Sequence, residues 1–223
     1  MTNTEKKSNI TTIKFALHPN ITLRVSLHKS ISINPHHQIV NKLLALPKNA
    51  NSEKFVIIDA KNIVSMDQFA IAANTALLRI FQFEQKNANS NGNGTSSRGL
   101  GLETILCCAG STNTASVMKD YAFDKNSIAA QQQETDNSAV YDIFCLSYCE
   151  SEEEHEEVTK SLELGDAECT TSGAIEAYFS RPRSDKEMNA LFKVYKLTKD
   201  EVEMHGSSLE KAVCNRVAAK FYI

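Results

Sequence analysis

Cys145 and Cys149, separated by three residues, are the nearest thing in this chain to a metal-binding pair. A zinc site would need a second Cys or His pair to complete four ligands. No such pair accompanies them, and both fall in the apolar run 140–149. Cys107 and Cys108 are the other candidates for chemistry. A nucleophilic thiol needs a base beside it, and no histidine lies near them in sequence. The pattern predicts free thiols that act as small apolar groups for Cys107, Cys108, Cys145, Cys149, Cys169 and Cys214, in a reducing compartment. A cysteine enzyme using Cys107 or Cys108 stands as an alternative, which alkylation of the native protein would separate.

His155 lies among Glu152, Glu153, Glu154, Glu156 and Glu157, and reads as part of a charged mobile loop rather than a metal ligand. His36-His37 opens a helical segment with no patterned carboxylate or cysteine partner. The chain has no G-x-x-x-x-G-K-[ST] and no G-x-S-x-G. Gly99-Leu-Gly101 precedes a strand-like run, so it is not a dinucleotide turn. These residues predict a non-catalytic protein with no cofactor and no metal site.

Charge is spread unevenly over the 223 residues. Residues 150–176 carry ten acidic groups against Lys160 alone, a net of −9; subtracting this from the chain's −3 leaves +6 elsewhere. Arg181, Arg183, Lys186, Lys193, Lys196 and Lys199 cluster within twenty residues. Such a face can meet nucleic acid or simply be solvated, and charge alone does not choose. No run approaches the ~18 apolar residues of a membrane span, and the polar MTNTEKKSNITT lacks an apolar signal core. Nuclear and cytoplasmic residence with no membrane partner is the expectation.

The elements follow from periodicity. Ile13, Phe15 and Leu17 alternate, as do Leu23, Val25 and Leu27 against Arg24, Ser26 and His28, which predicts two strands. Asn34-Pro35 opens a helix to about Leu46. Strands are predicted over 55–59, 104–108 and 140–149. Ser65-Met-Asp-Gln68 is a capping box for a helix over about 66–83, with Phe69, Ala72, Ala73, Ala76, Leu77, Ile80 and Phe81 on one face, and Ile71 and Leu78 on another. A short helix is predicted over 112–121, with Ala115, Met118 and Tyr121 inward. Ser184-Asp-Lys-Glu187 and Ser207-Ser-Leu-Glu210 cap two later helices. In the last, Leu209, Val213 and Val217 form an i, i+4, i+8 stripe. The sum is one α+β domain over 1–223, a mixed sheet packed with helices, with flexible polar insertions at about 84–101, 124–138 and 150–176.

Three segments carry a family likeness: Val56-Ile-Ile-Asp59, Ile63-Val-Ser-Met-Asp-Gln-Phe69, and Ala70-Ile-Ala-Ala-Asn-Thr-Ala-Leu-Leu78. With Glu103-Thr-Ile-Leu, the short helix 113–121, Lys193-Val-Tyr-Lys-Leu197 and Leu209–Val217, the chain resembles the PRPK-binding protein (TPRKB) family, the small kinase-binding subunit of the EKC/KEOPS complex. The likeness covers about 13–217. It departs from the family in its long insertions, in Tyr121-Ala-Phe123 where Phe-Gly-Ile is usual, and in Ser111-Thr-Asn113 where archaeal members place arginine.

The resemblance implies a non-catalytic subunit that binds the small KEOPS kinase/ATPase, and through it the other KEOPS subunits. It also implies a part in N6-threonylcarbamoyl-adenosine modification of tRNA, contact with the tRNA acceptor end, and a link to telomere maintenance. The kinase interface is expected on Leu209, Val213 and Val217, or on Ile71 and Leu78. The apolar stripe on the last helix can equally pack into the chain's own core. Arg181, Arg183, Lys193 and Lys196 are the expected tRNA contacts. A STAS-like regulatory domain is the rival reading, because Phe55–Asp59, Ile63–Ser65 and the following helix share its strand–turn–helix rhythm.

Overall fold

The computed structural model describes residues 10–33, 54–88, 99–121, 139–162 and 173–219. The expected helix over 35–46, the insertion 124–138 and Cys169 lie outside them.

Alternating apolar residues build a four-stranded sheet: β1 (Thr11–Phe15), β2 (His18–Ile33), β3 (Phe55–Asp59) and β4 (Ala139–Ser147), in the order β1-β2-β4-β3. All three pairings are antiparallel, so the expected mixed sheet is corrected to a uniform one. Leu17 is not in a strand. It sits in the turn between β1 and β2, 69% exposed. β2 is longer than the alternation suggested because its pairing with β4 resumes beyond an irregularity between His28 and Ile31. There Ser30 has φ 56 and its N–H donates to Asp142 Oδ1 at 3.0 Å.

The register sorts the two faces. Leu27, Phe144 and Ile58 lie in one row, and Val25, Leu146 and Val56 in the next; these form the inner face. The outer rows are Arg24, Ser147 and Phe55, then Ser26, Cys145 and Ile57.

Among the described residues, seven helices contribute to the inner core: α1 (Met66–Ala88), α2 (Leu100–Cys108), α3 (Thr114–Tyr121), α5 (Ala174–Ser180), α6 (Asp185–Tyr195), α7 (Lys199–Met204) and α8 (Leu209–Ala219). α4 (Glu152–Ser161) packs on the outer face instead. α1 is central. Ala72, Ala73 and Ala76 are all fully buried, and such small side chains let neighbouring helices approach closely. In α3 Tyr121 is buried as expected and Val117 with it, while the expected Ala115 is exposed; the side chain of Met118 lies outside those described.

Two expected elements are overturned. Residues 104–108 are helical, in α2, not a strand. α2 is buried on nearly every side, so its apolar residues show no helical period. Gly99 caps it, and Thr104 Oγ1 donates back to the Leu100 carbonyl at 2.8 Å. Gly99-Leu-Gly101 therefore opens a helix after all, but Gly101 is buried inside that helix as a packing residue. The insertion at 84–101 is correspondingly shorter, because α1 runs to Ala88 and α2 begins at Leu100.

The acidic segment is also ordered over 150–162. Ser151 caps α4, its Oγ accepting from Glu154 N–H at 3.1 Å, and the glutamates of the first turn face the positive end of the helix dipole. Only 163–172 of the expected insertion lies outside the described residues.

Candidate functional site

Among the described residues, three places gather polar or partner-ready groups. The first is the turn before α1. Gln68 N–H donates to Ser65 Oγ at 3.3 Å, as the capping box requires. The Gln68 carbonyl oxygen accepts from Val64 N–H at 2.9 Å, one residue earlier than the ideal box. Its amide then donates to the Cys108 carbonyl at 3.0 Å and to Tyr195 Oη at 2.5 Å. Tyr195 donates onward to the Asn62 carbonyl at 2.5 Å. A single buried glutamine thus joins α1, α2, α6 and the 3-10 turn Ala60–Asn62. Each polar atom of Gln68 is satisfied, which is what a 0% exposed amide needs.

The second place is a cleft of about 360 Å³ between the end of α2, the start of α3, and the ends of α6 and α8. Ser111, Asn113, Ser116, Lys196 and Arg216 give it a polar, basic rim. Lys196 closes α6 in the left-handed conformation at φ 53. Arg216 donates to Glu201 and lies 3.4 Å from the Lys196 carbonyl.

The third place is the outer face under α4. Ser26 Oγ lies 3.1 Å from His28 Nε2 and 2.8 Å from His155 Nε2. Ser147 Oγ lies 2.5 Å from His155 Nδ1 and 2.9 Å from Cys149 Sγ. Burial pulls both histidines down to about 4; for His155, neighbouring His28 and Arg24 push the same way. His155 is 1% exposed, so it is not in a mobile charged loop. No substrate could reach this Ser–His array without moving α4.

The sequence-predicted residues divide. Val213 and Val217 are fully buried in the chain's own core, so their side chains offer no surface to a partner. Their stripe packs α8 within the fold, and α8 lies against α1. Leu209, Ile71 and Leu78 are half-buried, with Leu209 and Ile71 packed on the edge of the core. Arg181 donates to Glu187 at 2.6 Å and lies 4.8 Å above the Tyr178 ring. That arginine, with the Ser184 cap, holds Glu187 down at about 2. Arg183 donates to the Ile63 carbonyl at 2.8 Å. Both arginines are therefore committed within the fold, whereas Lys193 and Lys196 are exposed.

Cys107 and Cys108 are fully buried, and burial pushes Cys107 up to about 12 and Cys108 well above the ordinary thiol range. Neither can be an activated nucleophile at neutral pH. Cys145 is buried too, while Cys149 and Cys214 are half-buried. Among the described residues, no three His, Cys, Asp or Glu side chains converge as a metal site, and no helix is long and apolar enough to cross a membrane.

Reading by sequence missed Arg216, which only the fold brings to Lys196, and the outer-face cluster. It also missed the stacking of half-buried His18 on Phe81, with ring centroids 4.6 Å apart; Phe81, expected on the inner face of α1, is 37% exposed.

Residues 26–221 match the model of the kinase-binding protein CGI-121 family. No curated protein matches the chain. The family match spans all but the ends of the sequence, so the chain belongs to the CGI-121 family of non-catalytic kinase-binding proteins. The STAS-like rival, which rested on 55–65 and the helix after them, is displaced by a match of that length.

Proposed function

We propose that this chain is the small subunit that binds and supports the kinase/ATPase of a KEOPS-type complex. It contributes in this way to N6-threonylcarbamoyl-adenosine modification of tRNA, in nucleus and cytoplasm, and to telomere maintenance. The observation that carries the reading is the family match over 26–221. It is supported by where the family-like residues fall. Ile63–Gln68, Ala72, Ala73, Ala76 and Tyr195 build the joint that fixes α1 against α2, α6 and the sheet.

The kinase contact is placed on the half-buried residues Ile71 and Leu78 of α1 and Leu209 of α8, with Val213 and Val217 supporting that surface from beneath. A charge in an interface costs binding and leaves the free fold intact, whereas a charge in the core costs the fold. Leu78→Asp is expected to abolish recovery of the small kinase and its tRNA-modifying ATPase partner from native extract, with little change in Tm. Recovery of neither protein by the unsubstituted chain, under conditions that preserve other complexes, would overturn the reading.

A tRNA contact is the second part of the reading, favoured by the cleft whose rim carries Lys196 and Arg216. Lys193 stands on the same helix, α6, one turn before Lys196. Arg181 and Arg183 act as internal ties. In the assembled complex, the Lys193→Glu/Lys196→Glu double variant should bind tRNA more weakly and lower the salt slope by about one per lost phosphate contact. Unchanged affinity would remove the tRNA contact from this face.

A further inference from the structure

The outer-face hydrogen bonds can be assigned a single direction. Cys149 has one proton, and its Sγ donates to the Ser151 carbonyl at 3.2 Å. Cys149 must then accept from Ser147 O–H, so Ser147 accepts from His155 Nδ1–H. A neutral His155 protonated at Nδ1 is an acceptor at Nε2, so Ser26 donates to it. Ser26 in turn accepts from His28 Nε2–H. The relay runs His28, Ser26, His155, Ser147, Cys149, Ser151, and needs His155 neutral, because its Nε2 must accept. It leaves His28 Nδ1 as a buried lone pair with no partner among the described residues.

We propose that this relay is an acid-released latch: it seats α4 on the sheet while both imidazoles are neutral, and protonation lifts α4 off while the inner face stays folded. A proton on His155 Nε2 would face the Ser26 proton, and one on His28 Nδ1 would place a buried charge without a partner. Every surrounding group bears on the outcome. β2 supplies Arg24, whose guanidinium donates to the Cys149 and Glu150 carbonyls and repels a second positive charge. β4 and the turn after it supply Cys145, Cys149 and Glu150. α4 supplies Glu154, whose Oε2 accepts from Glu150 N–H at 3.1 Å. β3 supplies Phe55, 6.1 Å from His155 between ring centroids, and at its far end Asp59, paired with Lys61 at 2.5 Å. Burial of both rings, and for His155 also the charge of Arg24, makes the neutral form the seated one. The apolar cluster on this face is small: Phe55, Ile57, Ile143 and Cys145 of the sheet meet Val158 and Leu162 of the α4 segment, with Ile31 and Tyr141 at its edge. α4 can therefore leave without opening the inner core, which is a separate cluster.

The test uses the full chain and the two faces as each other's control. Between pH 7.5 and 5, hydrogen exchange should show α4 losing protection by about 30-fold for each histidine that titrates, while α8 keeps its protection. Over the same range a pyridyl disulfide reagent should begin to label Cys145, which is fully buried under α4, and still spare Cys107 and Cys108 in the inner core. His155→Gln and His28→Gln should each remove one histidine's share of that pH dependence, and His28→Gln carries the test if the first variant does not fold. Loss of protection in α4 and α8 together, with Cys107 and Cys108 labelled alongside Cys145, would overturn the latch. So would a seated α4 at pH 4.

Discussion

The two faces of one sheet are held by different forces. On the inner face Phe144 meets Phe69 edge-on with centroids 5.1 Å apart, stacks on Phe179 and is capped by Tyr178. The stabilisation there is apolar burial, which depends weakly on pH and needs no particular proton. On the outer face the strands present Arg24, Ser26, His28 and Ser147 beside a small apolar cluster, and α4 is seated by both, through hydrogen bonds whose direction depends on a neutral His155. One face is specified by volume alone and the other by volume and protonation together. The first gives stability, the second a position that can be changed.

The largest test of that contrast is Val213→Asp. A carboxylate in the fully buried place of Val213 has no partner, and several kcal/mol, about 4 or more, should be lost. Thermal unfolding should show a collapsed Tm or no folded protein. An unchanged Tm would mean that α8 is not part of the inner core.

Acid should act on the outer face next. The folded histidines titrate near 4 and the unfolded ones near 6.5, so the unfolded or unlatched state binds protons first. Their contribution is complete above pH 6.5 and is lost as pH falls toward 4. At pH 5 the loss should be about 2 kcal/mol per histidine by urea unfolding. Glu187 titrates in a lower window: its folded value of about 2 lies below its usual 4.5, so its smaller, solvent-screened contribution is present above 4.5 and fades only toward pH 2. A stability profile flat to pH 4.5 would erase the difference between the faces.

Ser147→Ala removes one link of the relay and strands His155 Nδ1–H. It should cost about 1–3 kcal/mol and leave the inner-face cysteines protected. The smallest effect belongs to Lys160→Ala. Its pair with Glu156, 3.1 Å apart on the exposed side of α4, should contribute about 0.3–0.5 kcal/mol, read as a slight drop in α4 protection at low salt.

The inner face was legible in sequence because its rule is simple. Leu23, Val25 and Leu27 alternate, and Ala72, Ala73 and Ala76 share one side of a helix with a recognisable cap. α2 was not legible, since a helix buried on almost all sides has no polar stripe to mark its period. α4 carried two readable signals that its charge obscured. Ser151-Glu-Glu-Glu154 has the form of a capping box, and His155, Val158, Thr159 and Leu162 recur at i, i+3, i+4 and i+7. Two of those four are polar, so the stripe does not register as apolar. The fates of Arg181 and Arg183 were invisible for another reason. Glu187 and the Ile63 carbonyl reach them only once the chain has folded, and a cluster of basic residues reads alike whether it is tied or open.

The strand order has a consequence during synthesis. β4 pairs with β2 on one side and β3 on the other, and β2 and β3 never pair with each other. Residues 34–138 separate β2 from the strand that completes it. At about 5–20 residues per second, a ribosome needs roughly 5–20 s to cross that stretch. Until Ala139 is reached Phe55-Val-Ile-Ile58 lacks its neighbouring strand β4, and α1 has only the β1–β2 hairpin to pack on. Contacts closed over such a distance also form slowly once the chain is free. A nascent chain stalled before residue 139 therefore presents a bare apolar strand, a natural target for chaperone capture. Slow codons placed just upstream of Ala139 should lower the yield of folded protein without altering a single residue.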